Sequence, residues 1–333
     1  MCNTGGLTEI PLKRLPATVE YLSLTKNTFP VIKSDSFKGL RNLRKLSLDG
    51  NNITTIKPFA FRGLPKLREL SIQHTPLATV AQFSFAGLQN ISSIILGHNK
   101  IAKIEGYSFA GLRNVDHLIL PSGVRNLESD AFSELDYVGI LKLAFMDLTY
   151  LKPHTFRGLS HVQVLAITDS DLGVIRTNAF EGMTHIGSLN LINNKIDAIQ
   201  EFHIRKSNNV RTIRLHGNHL LETPDRNAIV IQSVETVSVS KNHFPCDCHL
   251  HSLLASPLVN NTNDFRENNF CISPLEVNGK PISYIDLENL ARCHDEVTRG
   301  NLDAPRDGRH ANDSVALAAA GLLVILAVSV GLR

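Results

Sequence analysis

One period governs this chain: apolar residues return every 24 positions. Aligned on the pattern LxxLxLxxN, the sequence has unit starts at Val19, Leu43, Leu67, Ile91, Val115, Val138, Val162, Ile186, Val210 and Val234. Every interval is 24 residues except that from Val115 to Val138, which is 23. A chain of 333 residues ordinarily suggests two globular domains. Ten units in register replace that expectation with a repeat array, in which each unit buries its apolar face only against its neighbours.

The positions within a unit say how it folds. In the second unit Leu43, Leu46, Leu48, Ile53, Ile56, Phe61 and Leu64 are apolar. Around Leu46 and Leu48 the alternation has period two, as in a strand with one buried face. Parallel strands stacked about 4.8 Å apart would give ten units an inner face on the order of 45 Å long. At the nineteenth position Phe recurs as Phe37, Phe61, Phe85, Phe109, Phe132, Phe156 and Phe180, which predicts a stacked aromatic spine. At the ninth position stand Asn27, Asn51, Asn99, Asn194, Asn218 and Asn242. An amide that both donates and accepts can satisfy the turning backbone inside the stack, so these residues are expected to form an asparagine ladder. Thr75, Met146 and Ser170 replace Asn in units three, six and seven, and unit five has lost a residue there. The ladder should therefore be interrupted in mid-array.

Composition excludes several functions. The formal charge of +3 is small and evenly spread, which argues against a nucleic-acid partner. No nucleophile elbow, phosphate loop or HExxH occurs, so neither an enzyme nor a cofactor is expected.

The end of the array carries a resemblance. After Asn242 come FPCDCHLHSLL, then Cys271 in NNFCISPLEVNGK, then Cys293. The 24-residue unit with its F-x-GL ending, followed by this cysteine spacing, resembles the extracellular leucine-rich-repeat family with a cysteine-rich C-terminal flank. Slit, Toll, chaoptin and connectin belong to that family. The resemblance implies an α/β repeat solenoid: a curved horseshoe with a parallel concave sheet and a disulfide-stapled C-terminal cap. It also implies that Cys246 pairs with Cys271 and Cys248 with Cys293. The usual Trp after CxC is missing. A rival reading of CDCHLH is a metal site on Cys248, His249 and His251, although the spacing fits no common finger. The opening CNTGGLTEIPLKRLP resembles the last stretch of the family's N-terminal cap, with Cys2 as a cap cysteine whose partners lie upstream. The chain then divides into a truncated N-terminal cap (1–18), ten repeats (19–242), the cysteine-rich cap (243–294), a polar linker (295–314) and a hydrophobic anchor-signal tail (315–333).

From Val315 to Leu332 the tail carries no charge. Eighteen apolar residues barely span a bilayer, and after the small polar residues HANDS they read as a lipid-anchor signal with Asn312 or Ser314 as attachment residue. A short transmembrane helix is the alternative. Sequons at Asn52, Asn90, Asn260 and Asn312 suit a secreted glycoprotein; Asn312 cannot serve both roles.

The lane between the two strand leucines reads Ser23, Ser47, Ser71, Ile95, Ile119, Lys142, Ala166, Asn190, Arg214 and Ser238, with Ile140, Ala144, Phe145 and Val164 beside it in units four to seven. Clustered apolar residues on a face usually kept polar mark Ile95, Ile119, Ile140, Phe145 and Val164 as a concave binding patch. The competing reading has the irregular units tuck these side chains into the core. His74 and His98 share a lane, and Arg214, His216 and Lys241 form a small basic edge. The function expected is a non-enzymatic scaffold on the outer face of the plasma membrane, held there or shed. It would bind a protein ligand or an opposing cell-surface protein in adhesion or recognition, with homophilic contact included. The alternative is an anchored co-receptor or decoy that captures a soluble growth factor or microbial molecule.

Overall fold

A computed structural model describes residues 5–293 and Asp295; Cys2, Asn312, Ser314 and the 315–333 tail lie outside them. Ten parallel strands form one sheet in strict chain order. They are β1 (Tyr21–Ser23), β2 (Lys45–Ser47), β3 (Glu69–Ser71), β4 (Ser93–Ile95), β5 (Val115–Ile119), β6 (Val138–Ala144), β7 (Ser160–Thr168), β8 (Thr184–Ile192), β9 (Val210–His216) and β10 (Thr236–Ser240). Each strand falls once per repeat. Leu22 pairs with Leu46, Leu70 with Ile94, Leu118 with Leu141 and Leu165 with Leu189, so the register holds through the short unit. The missing residue therefore falls after β5, in the turn, where its loss cannot flip side chains across the sheet.

Opposite the sheet the chain runs through turns and two-residue parallel bridges, such as Val31–Ile32 on Thr55–Ile56. Helices among the described residues are short, and the α-helices belong to the cap: α1 (Leu250–Leu254), α2 (Thr262–Asn268) and a further helical segment that begins at Leu287. Bidentate pairs of Arg62 with Asp35 and Arg157 with Asp130 stitch successive units on that outer surface. The guanidinium hydrogen bond holds each aspartate below the usual carboxylate range. Being exposed, such pairs contribute little to stability.

The core is the periodic set. Leu43, Leu46, Leu48, Phe61 and their equivalents in the middle of the array are fully buried, while Val19 at one end and Leu215, Val234, Val237 and Val239 at the other are only partly covered. The spine rings from Phe37 to Phe180 stack at 5.3–6.0 Å with nearly parallel planes. At its end Phe202, two residues out of the 24-residue frame, meets Phe180 edge-on at 5.2 Å and 75°.

The ladder is made as its chemistry suggests. The Asn194 backbone N–H and Nδ2 both donate to Asn218 Oδ1, at 2.9 and 3.1 Å, and Asn218 does the same to Asn242, both at 2.9 Å. Nδ2 of Asn218 also reaches Leu191 O at 2.9 Å. In unit seven a smaller side chain serves: Ser170 Oγ accepts from Met146 N at 3.0 Å. Asn269 in the cap supplies a rung that the repeat frame does not contain, accepting from Asn242 N at 2.9 Å and donating to Val239 O at 3.1 Å. Asn218→Ala would strand the buried Leu191 carbonyl and the Asn194 amide, so it should cost about 1–3 kcal/mol. Chemical denaturation measures this against the exposed Asn52→Ala; equal midpoints for the two variants would refute a structural ladder.

The cap closes the stack. Cys246 is bonded to Cys271 and Cys248 to Cys293, with Cα separations of 5.4 and 5.3 Å. Bonding to Cys293 removes the Cys248 thiolate that a metal site would need. Where the family's Trp is absent, Phe265 from α2 packs on Phe244 at 5.5 Å between ring centres, over the buried Leu250, Leu253 and Leu258.

Candidate functional site: the concave sheet

Strand length varies along the array. The first four strands are three residues long, β5 has five, β6 seven, β7 and β8 nine each, β9 seven and β10 five. The concave sheet thus broadens where the short unit ends. Its apolar side chains gather at this transition.

Register fixes their neighbours. Ile119 lies opposite Lys142 and Ile140 opposite His117 on one side, and Ile140 is opposite Val164 on the other. Ser71 pairs with Ile95. The inward positions of the same strands, Ile94, Leu118, Leu141 and Leu165, fill the core, so parity sends Ile95, Ile119, Ile140 and Val164 outward. Phe145, one residue past the end of β6, has the parity of the buried Leu141 and Leu143 and is turned outward by the left-handed turn after the strand. Ile119 is 51% exposed and Phe145 61% exposed, while Ile95, Ile140 and Val164 are half-buried. The alternative in which they join the core does not hold for these five. It does hold for Ala144, which is buried. Its single methyl does not rise clear of the longer side chains around it.

The lost residue of unit five also shapes a hollow. A pocket of about 220 Å³ opens on the concave side, with Ile95, Gly97, His117, Ile119, Pro121 and Ser122 in its wall. Gly97 adds no side chain there. On the adjoining rim the Phe145 backbone is left-handed (φ 55°), and its carbonyl accepts from Gly123 N at 2.8 Å. Left-handed backbone is costly for a bulky residue. Here the turn that recurs at the end of each strand requires it. Together Ile95, Ile119 and Phe145 present apolar surface around a cavity that admits a side chain.

A more polar hollow of about 300 Å³ runs along the N-terminal edge of the sheet, beside Tyr137, Gln163, His185 and Arg211. His161 stacks on His185 there at 4.5 Å. His74 and His98, the one pair singled out from sequence, stack at 4.6 Å, and His219 and His243 at 4.3 Å. The two other pairs obey the same 24-residue spacing, a signal that was there to read. Burial, and then the charge of His219, push His243 below the usual imidazole range. On the basic edge, His216 Nδ1 lies 3.0 Å from Ser240 Oγ. Among the described residues no three ligating side chains cluster as a metal site would need.

Of the sequon residues, Asn52 and Asn260 are exposed and Asn90 is half-buried. Asn90 Oδ1 accepts from Asn114 Nδ2 at 2.6 Å, and Asn260 Nδ2 donates to Val237 O at 3.3 Å. Among the described residues no helix is long and apolar enough to cross a membrane.

Comparison with known proteins agrees with the architecture. The family model for the BspA type leucine rich repeat region matches residues 30–163 in six copies, and a second leucine rich repeat model matches 160–220. Neither description is of an enzyme. A search of curated protein sequences gives no match. Among solved structures, TLR13 in its complex with ssRNA13 is 23% identical, with a TM-score of 0.53, over 69% of this chain and 34% of that one. Human 5T4 (Wnt-activated inhibitory factor 1, trophoblast glycoprotein) is 22% identical, with a TM-score of 0.45, over 86% of this chain and 92% of that one. Drosophila Toll in complex with Spatzle is 15% identical, with a TM-score of 0.38, over 81% and 48%. The chain thus spans about a third of TLR13 and about half of Toll. At these identities the TLR13 likeness speaks for the fold alone.

Proposed function

The chain belongs to the leucine-rich-repeat family, and from that premise we propose that it is a non-enzymatic protein-binding scaffold of the cell surface, acting in adhesion or recognition through its concave face. The observation that carries this reading is the apolar group around Ile119, set on the widening sheet beside a side-chain-sized pocket. A solenoid has no folding reason to keep Ile119 half in water, and exposed apolar clusters of this kind mark contact sites. Two disulfides in the cap favour an oxidising, extracellular setting. The uncharged run 315–332 favours attachment to the outer membrane face through a lipid anchor at Asn312 or Ser314.

The partner is a protein, either an opposing surface molecule or a second copy of this chain. Replacing Ile119 and Ile140 together by Asp should abolish partner binding while secretion and the unfolding midpoint hold, because neither side chain belongs to the core. Aggregation of cells expressing the native chain, lost in the double variant, is the expected readout. Capture of a soluble ligand without aggregation would instead favour the co-receptor or decoy role. A double variant that aggregates cells as well as the native chain removes the concave patch from the proposal.

A further inference from the structure

The cap carries large apolar side chains that cover nothing. Leu275 is 85% exposed, the highest value among the large hydrophobic residues described, and Tyr284 is 71% exposed. Leu287 follows them on the same segment, also exposed. Two 3-10 turns hold this stretch, Leu275–Val277 and Ile282–Tyr284. They are fixed from behind: Ile282 is fully buried, and Arg266 Nη2 donates to Ser283 O at 3.2 Å and Ile285 O at 2.8 Å. Outside, Lys280 Nζ lies 5.8 Å from the centre of the Tyr284 ring. An aliphatic residue, a tyrosine and a lysine on a rigid base form the set that suits a membrane interface. The tyrosine ring and the lysine stem bury apolar surface there while their polar ends stay wet.

Position in the chain supplies the occupant. Nineteen residues, 296–314, separate Asp295 from the uncharged run that begins at Val315. Even fully extended they reach about 65 Å, so an anchored chain holds its cap, the part of the described fold nearest the tether in sequence, within that distance of the bilayer. Glu276, Asp286 and Glu288 outnumber Lys280 on this stretch, which disfavours a strongly anionic surface and points to zwitterionic lipid. Asp286 is in part turned to its own backbone, accepting from Glu288 N at 3.0 Å.

We infer that the 275–287 face of the cap docks on the phosphatidylcholine-type bilayer to which the chain is tethered, and so sets the attitude of the solenoid on the cell surface. The inference rests on the anchoring proposed above. The sequence contains no Trp, so Tyr284→Trp introduces a single indole that can be excited apart from the remaining tyrosines. The full chain is purified in detergent and reconstituted into phosphatidylcholine–cholesterol vesicles with and without brominated phosphatidylcholine. Indole emission from the Tyr284→Trp variant should shift to the blue and be quenched by the brominated lipid. Tyr21→Trp, at the far end of the array, should show neither effect. Adding Leu275→Glu and Leu287→Glu to Tyr284→Trp should abolish quenching while the chain stays with the vesicles. Leu275→Trp serves as a second reporter should the Tyr284 variant fold poorly. Chains that remain attached with both cap reporters unquenched overturn the docking and leave the anchor standing. Quenching of the Tyr21→Trp chain as well as the Tyr284→Trp chain overturns the assignment to the cap. Chains that do not stay with the vesicles overturn the anchor, and this inference with it.

Discussion

Replacing Phe109 with alanine is expected to cost the array about 3–5 kcal/mol of unfolding free energy, the range for emptying a phenylalanine site in a packed core. Phe109 is fully buried, and its ring stacks between Phe85 at 5.7 Å and Phe132 at 5.8 Å. Both contacts vanish together, and stacked pairs are worth about 0.5–1.5 kcal/mol each beyond their burial. Relaxation cannot close the gap easily. Units on either side are held apart at strand spacing by the sheet on one face and by turn bonds such as Phe109 N to Ala131 O on the other. In an array each unit contacts only its neighbours, so the damage should show first as local opening of units four and five. Chemical denaturation gives the free energy, and hydrogen exchange at β4 and β5 gives the location. Phe145→Ala, at an exposed position of the same chain, should change stability little. A loss under about 1 kcal/mol at Phe109, well below the large-to-small range, would mean that the spine fills space without holding the stack.

What the sequence could disclose followed from where a residue sits relative to the period. Leu46, Phe109 and Asn218 recur in frame, and position within the unit alone assigns each to sheet, spine or ladder. Asn269 was invisible for the same reason. It comes 27 residues after Asn242, inside a segment whose cysteines and helices break the repeat, so counting by 24 lands on Arg266 instead. Phe202 is likewise two residues out of frame, and its ring closes the spine edge-on. Strand parity gave the outward direction of Ile119 and Val164. It failed at Ala144, because parity gives direction and not reach. The pocket beside Ile119 depends on where the missing residue of unit five is absorbed. Register and turn geometry decide that, and an alignment does not contain them.

Breaking the Cys246–Cys271 bridge, as Cys246→Ala with Cys271→Ala, should cost about 3–4 kcal/mol and open the array from its C-terminal end. Closing a loop of 25 residues is worth about 3.5 kcal/mol in the chain-entropy account. The Cys248–Cys293 loop of 45 residues scores slightly higher on the same account, about 4 kcal/mol. Entropy therefore does not separate the two bridges; what each one holds does. Cys246 and Cys271 are both buried and flank the last rung, where Asn242 meets Asn269. That rung and Asn260 occupy the outward carbonyls of Val239 and Val237 on β10, the edge strand of the sheet. With the bridge gone, those carbonyls and the half-covered valines face water, and an uncovered sheet edge invites pairing between chains. Hydrogen exchange should therefore quicken in β9 and β10 while β5 stays protected, and the variant should self-associate at concentrations where the native chain does not. Removing Cys248–Cys293 instead should loosen the 286–293 segment and spare β10. Equal loss of protection along all ten strands in the Cys246 variant would mean that the array unfolds as one unit, and the cap would then be no more than a general staple.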